Sequence, residues 1–159
     1  MKYSEHPVLN LPSIDPRRIR ETAEGEQIYD VIRGKWVALT PEEWVRQHFV
    51  DWLVAAKGYS PYRIANEVGI KLNTMSRRCD TVVYDGTGRP AVIVEYKAPN
   101  VAVTQKVFDQ IVRYNMIVNA RLLIVSNGMC HYCCAIDYDR HTYRFLKEIP
   151  DAAGEGQSR

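Results

Sequence analysis

Two apolar runs joined by a turn carry the charged residues that decide the fold of this chain. Residues 77–84 read RRCDTVVY, residues 85–88 read DGTG, and residues 91–99 read AVIVEYKAP. Runs rich in Val and Ile that are bounded by Gly and Pro predict β-strands, here at 80–84 and 91–96. A turn this short makes the two strands antiparallel neighbours. The sequence therefore predicts a β-hairpin with charged residues at one end.

Asp80, Glu95 and Lys97 are the charged residues of interest in this hairpin. Glu95 and Lys97 are two positions apart, so their side chains leave the same face of a strand. The unbroken apolar run at 92–94 indicates a central strand that is buried on both faces. Charged groups at the end of such a strand need a partner or a function. Depending on the register, the hairpin brings Asp80 close to Glu95 and creates a compact polar site.

Such a site suits a divalent cation. Two carboxylates a few ångströms apart repel each other unless a proton or a cation lies between them. Mg²⁺ is usually held by one or two carboxylates, with water and substrate phosphate at its remaining positions. A lysine beside the ion can orient the attacking water or offset charge as phosphorus is attacked. The expected cofactor is Mg²⁺ or Mn²⁺, and the expected reaction is phosphodiester hydrolysis.

A strong helix start precedes this hairpin in the sequence. Thr40 is suited to the N-cap, Pro41 to the first helical position, and Glu43 to the third position of a capping box. Apolar residues then recur at helical spacing until the sequence KG at 57–58 ends the segment. The pattern predicts a helix of four to five turns.

The remaining elements predict a single domain of the α/β (α+β) class, with a mixed central sheet flanked by helices. Its N-terminal part, at 1–39, is an arm followed by a β-hairpin or meander with strands at 18–23, 27–32 and 36–39, and its core spans 40–149. Within the core we expect a turn at 61–64, further strands at 67–72, 121–126, 129–136 and 142–146, and a second helix at 103–119. We expect the polar, Gly-containing tail at 150–159 to be disordered.

Composition excludes some functional classes. The 159 residues include 21 Lys and Arg against 19 Asp and Glu, a formal net charge of +2, so the chain does not bind phosphate through bulk positive charge. The sequence has no apolar run long enough for a membrane helix and no signal-peptide pattern at its start, which favours the cytoplasm.

The four cysteines allow an alternative metal site. Cys130, Cys133 and Cys134 lie close to His131, and thiolate with imidazole is a zinc-binding ligand set. However, alternation along a strand sends Cys133 and Cys134 to opposite faces. We therefore favour buried thiols over a zinc-binding adaptor.

Five ordered motifs give the chain a resemblance to a known family. They are PEEWVRQ at 41–47, Arg78-x-Asp80, EYKAP at 95–99, QIVRY at 110–114 and SNG at 126–128. Together they resemble the PD-(D/E)XK nuclease superfamily, and most closely the N-terminal nuclease domain of type I restriction enzyme R subunits, over about residues 40–128. The resemblance implies a restriction-endonuclease-like fold and a metal-dependent endonuclease that acts on DNA.

The resemblance also implies roles for individual residues. Asp80 and Glu95 would be metal ligands with the carbonyl of Tyr96, and Lys97 would be the catalytic lysine. A helix glutamate would complete the site; we favour Glu43, with Glu42 as its rival, and capping explains either residue equally well. Gln110 and Tyr114, which share one helix face, would bind near the phosphate or brace the site.

Contacts to nucleic acid are predicted from arginines. Arg77, Arg78 and Arg113 are the candidates, with Arg17, Arg18 and Arg20 as further ones, against the alternative of arginines on a solvated surface. The resemblance implies DNA as substrate and other restriction-modification or motor subunits as partners.

Two departures from the family pattern bear on function. Cys79 stands where the superfamily often has proline, although the following Asp80 is the residue that would bind metal. No phosphate-binding Gly-x-x-x-x-Gly-Lys-Ser/Thr loop occurs, so we expect a nuclease module without its motor. The alternative is a catalytically inactive nucleic-acid-binding or assembly module with the same fold.

Overall fold

A three-stranded antiparallel sheet forms the N-terminal part of the computed structural model, which describes residues 5–72 and 74–152. Its strands are β1 (Ile19–Thr22), β2 (Gly25–Asp30) and β3 (Lys35–Ala38), in that spatial order. The meander predicted from the sequence is therefore present, with strand boundaries that differ by a few residues.

Helix α1 (Pro41–Lys57) begins and ends where the sequence indicated. The side chain of Thr40 accepts a hydrogen bond from the backbone N–H of Glu43, and Gly58 closes the helix with a left-handed φ of 76°. Only half of the predicted capping box forms. The backbone N–H of Thr40 donates to the carbonyl of Ala38 instead, which leaves the carboxylate of Glu43 available for other partners.

A six-stranded mixed sheet forms the core of the molecule. Its spatial order is β4 (Ile64–Leu72), β5 (Met75–Tyr84), β6 (Pro90–Tyr96), β7 (Leu122–Ser126), β8 (His131–Asp137) and β9 (Thr142–Phe145). All neighbouring strands are antiparallel except β6 and β7, which are parallel and are connected through helix α2 (Gln105–Asn115). This arrangement confirms the predicted fold class.

Three elements differ in extent from the sequence prediction. Strand β4 starts at Ile64, directly after a short 3₁₀ turn at Pro61–Arg63, and β5 starts at Met75, so the β4–β5 hairpin is longer than predicted. The predicted helix at 103–119 is shorter, because Thr104 caps α2 and a 3₁₀ turn at Met116–Val118 follows it. Apolar periodicity continues through that turn, which is why the sequence pattern extended the helix.

The six-stranded sheet separates two apolar cores. Val92, Val94 and Ile124 face α1 and pack with Phe49. On the other face Ile93, Leu123 and Val125 pack with Phe108 of α2. Alternation along each buried strand therefore fills both sides of the sheet, as expected for strands covered by a helix on each face.

The cysteines of β8 follow the same alternation. Cys133 lies in the core that faces α1, and Cys134 lies in the core that faces α2. Burial raises the pKa of each thiol to about 12. The two side chains therefore point apart and do not converge on a zinc ion.

Both ends of the described chain contact the core. The backbone N–H of Asn10 donates to the carbonyl of Gly128, and the hydroxyl of Tyr59 donates to the carbonyl of Pro150, at 2.9 and 2.8 Å. Residues 153–159 of the predicted disordered tail lie outside the described residues. Within residues 5–72 and 74–152, no helix combines the length and the apolar character needed to span a membrane.

Candidate functional site

The pairing of β5 with β6 sets two carboxylates side by side. Thr81 lies opposite Val94 and Val82 lies opposite Ile93, so the next residues along the two strands are Asp80 and Glu95. Directly opposite residues of an antiparallel pair project from the same face. The hairpin register therefore produces the juxtaposition that the sequence left open.

Glu95 has an unusual environment for a carboxyl group. Burial, together with the negative charge of the adjacent Asp80 carboxylate, raises the pKa of Glu95 to about 9, against the opposite influence of Asn115 and Lys97. Its Oε1 atom is buried and has no hydrogen-bond partner among the described residues. A buried oxygen without a partner next to a second carboxylate favours a proton or a cation between the two groups.

These donors fit a hard divalent cation. Carboxylate oxygens are the ligands that Mg²⁺ and Mn²⁺ prefer, and the unpartnered Oε1 of Glu95 is available beside Asp80. Asp80 and Glu95 would hold the ion. No third carboxylate joins this pair, because the described part of the chain contains no cluster of three or more Asp, Glu, His or Cys side chains that could hold a metal ion.

A cavity of about 420 Å³ opens at this pair of carboxylates. It brings together residues from the end of β5, from the end of β6 with the residue that follows it, and from one face of α2. The lining comprises Asp80, Glu95, Tyr96, Lys97, Gln110, Ile111, Tyr114 and Asn115. This single cavity is lined by the two predicted carboxylate ligands, the predicted catalytic lysine, and the two α2 residues predicted to bind near the phosphate or brace the site: Asp80, Glu95, Lys97, Gln110 and Tyr114.

Asn115 belongs to this site and was missed by the sequence analysis. The residue is only 2% exposed, and its side-chain amide interacts with the carboxyl group of Glu95. Asn115 Nδ2 also donates to the carbonyl of Ile111 at 3.0 Å. A polar residue next to Tyr114 at the end of an amphipathic helix was the available signal, but only the packing of α2 shows that it points inward.

Glu43, the predicted helix ligand of the metal, does not line the cavity that contains Asp80 and Glu95, but it lines a neighbouring cleft together with Asp80. Its Oε1 accepts a hydrogen bond from Arg33 Nη2 at 2.8 Å, and its Oε2 accepts one from Gln47 Nε2 at 2.7 Å. Arg46 lies 3.5 Å from the same Oε2. Both oxygens are therefore engaged, because two arginines and an amide surround this buried carboxylate. Its rival Glu42 is exposed.

A second cleft lies on the Glu43 side of the site. It has a volume of about 820 Å³, and Asp80 and Tyr96 line both this cleft and the cavity described above. Arg33, in the turn between β2 and β3, and Lys35 of β3 form part of its wall. The N-terminal sheet is thus adjacent to the candidate site, which the sequence pattern did not indicate.

A chain of buried hydrogen bonds connects the site to the N-terminal sheet. The hydroxyl of Tyr96 donates to Thr81, Thr81 donates to Asn66, and Asn66 donates to Asp30, at 2.9, 2.7 and 3.0 Å. Asp30, which is fully buried, also accepts a hydrogen bond from Arg33. These contacts fix the ring of Tyr96, whose backbone lies between Glu95 and Lys97.

The arginines predicted to contact nucleic acid occupy different environments. Arg77 stacks on Tyr114 at the cavity, whereas Arg78 points to the second cleft and pairs with Glu67 at 3.1 Å. Arg113 is exposed and does not line the cavity.

The N-terminal arginines have partners within the fold. Arg17 pairs with Asp15, Arg18 pairs with Asp51, and Arg20 donates to Gln27. The side chain of Arg18 is only 16% exposed, which makes it a structural residue of the contact between β2 and α1.

Comparison with known proteins identifies the family. The family model described as the type I restriction enzyme R protein N terminus matches residues 41–150, more than two thirds of the chain. The chain belongs to this family. All of the residues that line the Asp80–Glu95 cavity lie within the matched segment, whereas the N-terminal sheet precedes it.

A solved structure resembles this R-protein N-terminal domain. It is a fragment assigned as an HsdR subunit of a type I restriction enzyme from Vibrio vulnificus YJ016, with a TM-score of 0.49 and 19% sequence identity. The similarity covers 72% of the present chain and 24% of that fragment, so the present chain spans about a quarter of its length. A comparison with curated proteins gave no match.

Proposed function

We propose that this R-protein N-terminal domain is a metal-dependent nuclease that hydrolyses phosphodiester bonds in DNA. One observation carries the proposal: Asp80, Glu95 and Lys97 line the same cavity, and no residue in the described part of the chain forms a hydrogen bond with a buried oxygen of Glu95 there. Membership of the restriction R-protein family supports DNA as the substrate and a restriction-modification context for the reaction.

Each residue has a defined task in this proposal. Asp80 and Glu95 would hold Mg²⁺ or Mn²⁺, with the Tyr96 carbonyl as a further ligand. When bound, the ion would supply Lewis-acid polarisation of a phosphoryl oxygen and increase the acidity of the attacking water. Lys97 follows Tyr96 directly, so its ammonium group would orient that water and offset the negative charge that develops on the phosphoryl oxygens.

Polar residues of α2 would bind the substrate next to these groups. Gln110 is exposed at the cavity, and its amide would donate a hydrogen bond to a phosphate oxygen. Asn115 is buried and would hold the carboxyl group of Glu95 in place. Glu43 would have to exchange Arg33 and Gln47 for the metal in order to join the ligand set.

Plasmid cleavage tests the proposal. Supercoiled DNA is incubated with the purified chain and Mg²⁺ or Mn²⁺, and the parent is compared with Lys97→Ala, Glu95→Gln and the control Lys106→Ala. Lys106 is exposed on α2 and does not line the cavity, so its removal tests for a general effect of lost positive charge. We expect the two site variants to lose at least a hundredfold in rate and the control to retain activity. Equal cleavage by all four proteins would indicate a contaminating nuclease.

A second candidate function follows from the position of Glu43. Because only two carboxylates meet in the described site, the chain could bind nucleic acid or assemble with other subunits without cleaving DNA. Two results together would favour this inactive module. The parent would not cleave DNA with any metal tested, and Glu95→Gln would lose both metal binding and DNA binding.

A further inference from the structure

A stacked pair of side chains lies at the rim of the candidate cavity. The guanidinium carbon of Arg77 is 4.4 Å from the ring centroid of Tyr114, and Arg77 Nε donates to the Tyr114 carbonyl at 2.8 Å. Tyr114 lines the cavity together with Glu95 and Lys97, yet it remains 47% exposed. An aromatic ring is thus held in a fixed position beside the charged groups without being buried.

The charge of Arg77 is not neutralised by the fold. The hydrogen bonds of Arg77 go to the backbone carbonyls of Ser76 and Tyr114, and no carboxylate forms an ion pair with it in the part of the chain that the structure describes. Arg78, the next residue, pairs with Glu67 instead. Arg77 therefore presents a positive charge on the α2 side of β5, where an anionic ligand of the cavity would pass.

The shape of the β4–β5 hairpin explains why Arg77 reaches this position. Strand β5 pairs with β6 from Thr81 onward, whereas residues 75–80 extend beyond that pairing. Alternation along this extension sends Arg77 and Arg78 to opposite faces of the hairpin. The extension places Arg77 over the end of α2, next to Tyr114.

We propose that Arg77 and Tyr114 form a shelf on which an unpaired nucleobase of the substrate strand stacks. This inference rests on the proposed function, because it concerns the strand whose phosphodiester enters the cavity. Exposed aromatic rings beside basic groups bind single strands by base stacking, to which arginine adds a cation–π contribution. Bases inside a duplex are already stacked and present only their edges. The substrate is therefore single-stranded or locally unpaired DNA.

The first test measures binding without cleavage. The full chain is titrated, with EDTA present, against a fluorescein-labelled single strand of about 15 nucleotides and against its duplex, by fluorescence anisotropy. We expect the single strand to bind more tightly than the duplex. Tyr114→Ala and Arg77→Gln should each weaken single-strand binding by about five- to a hundredfold, whereas Tyr114→Phe, which keeps the ring, should bind like the parent.

A matched variant separates stacking from charge. Arg113→Gln removes the same charge from the exposed residue next to Tyr114 in sequence; neither arginine lines the cavity, and Arg77 is the one that stacks on the Tyr114 ring. Arg113→Gln should weaken binding of the single strand and of the duplex by the same factor, because it removes only part of the salt-dependent attraction to phosphate. It should weaken single-strand binding by less than Arg77→Gln does. Equal losses for Arg77→Gln and Arg113→Gln on both substrates would overturn the shelf.

Substrates with a missing base give the sharpest measurement. A series of single strands, each with one abasic nucleotide at a different position, retains every phosphate and removes one base at a time. We expect one or two positions at which binding falls in the parent and in Tyr114→Phe but not in Tyr114→Ala. If the parent binds every strand of the series with the same affinity, base stacking is refuted. This outcome does not depend on whether Tyr114→Ala folds.

The outcome also separates this inference from the proposed function. Base-dependent binding without DNA cleavage in Mg²⁺ or Mn²⁺ would retain the shelf and reject the nuclease. If Lys97→Ala abolishes cleavage and the position of the abasic nucleotide does not affect binding, the nuclease function is supported and the stacking shelf is rejected.

Discussion

The backbone N–H of Tyr96 donates a 2.9 Å hydrogen bond to Oδ2 of Asp80. The contact continues the junction between β5 and β6 beyond the last backbone pair that joins them, Thr81 with Val94. Asp80 is thereby held against the end of β6 with its carboxylate next to Glu95. The hydrogen bond thus fixes Asp80 beside Glu95, and it offsets the Coulomb repulsion that arises when both carboxyl groups are ionised.

Glu95→Gln should abolish stabilisation by divalent cations. A ligand at a hundred times its dissociation constant stabilises the folded state by about 2.7 kcal/mol, and the variant lacks the carboxylate that would bind the ion. The metal-free variant should be no less stable than the parent, because the raised pKa of Glu95 already favours its uncharged form, which the amide of Gln resembles. Thermal unfolding with EDTA and with a titration of Mg²⁺ or Mn²⁺ measures both effects.

The control for this experiment is Glu148→Gln, which neutralises an exposed carboxylate outside the cavity. It should respond to the metal like the parent. An undiminished rise in melting temperature for Glu95→Gln would exclude Glu95 as a ligand.

Asp30→Asn should destabilise the fold by about 3 kcal/mol at neutral pH, because the partly buried guanidinium of Arg33 loses one of its two carboxylate partners. Burial alone would raise the pKa of Asp30, but hydrogen bonds from Arg33 and Asn66 outweigh it and lower the pKa. The ionised form is thus favoured by folding, so its contribution is complete above the unfolded pKa of about 3.9 and is lost as the pH falls through the lower folded pKa.

Urea denaturation between pH 7 and pH 3, on the parent and on Asp30→Asn, tests both parts of this prediction. The difference in unfolding free energy should shrink below about pH 4. Asp15→Asn is the control, because Asp15 is exposed and pairs with the exposed Arg17; it should have little effect at neutral pH. A difference for Asp30→Asn that does not change with pH would mean that packing, not charge, explains its effect.

Glu43→Ala should cost about 3 kcal/mol of stability, since Arg33 and the buried Arg46 would each lose a carboxylate partner. Glu42→Ala, at the exposed neighbouring position, should change stability by less than about 0.5 kcal/mol. Chemical denaturation compares the two variants.

The isosteric variant Glu43→Gln decides whether this residue also binds the metal. We expect it to keep the stabilisation by Mg²⁺ that Glu95→Gln loses, because Arg33 and Gln47 engage the carboxylate of Glu43. Loss of that stabilisation would mean that Glu43 exchanges its partners and joins the ligand set.

Gly128→Ala should destabilise the protein more than Gly88→Ala. Both glycines have a left-handed φ, 84° and 82°, and therefore a similar backbone cost of about 1 kcal/mol for alanine. Only at Gly128 would the added Cβ come within 2.7 Å of Leu9 Cδ2, whereas it would meet nothing at Gly88. The additional cost measures how firmly the N-terminal arm is docked on the sheet.

A double-mutant cycle with Leu9→Ala checks the cause. Removing the side chain of Leu9 relieves the overlap, so the two substitutions together should cost less than the sum of their separate effects. Additive effects would show that the arm moves away from Gly128 without resistance.

Local sequence determined most of the elements. The signal of Thr40, Pro41 and Gly58 fixed both ends of α1, because capping depends on residues within one turn of the helix. The spacing of Glu95, in β6, and Lys97, just after β6, predicted that their side chains share a face, and the spacing of Gln110 and Tyr114 along α2 did the same. These relationships need only the period of a strand or a helix.

Contacts between distant segments were decided by the tertiary structure alone. The engagement of Glu43 by Arg33 joins the N-terminal sheet to α1, and the interaction of Asn115 with Glu95 joins α2 to β6. The stacking of Arg77 on Tyr114 depends on how far β5 extends beyond β6. The sequence by itself identified Asp80, Glu95 and Lys97 as the charged residues of the site. Only the packing decided which residues of other elements contact them, because periodicity within one element carries no information on which element packs against it.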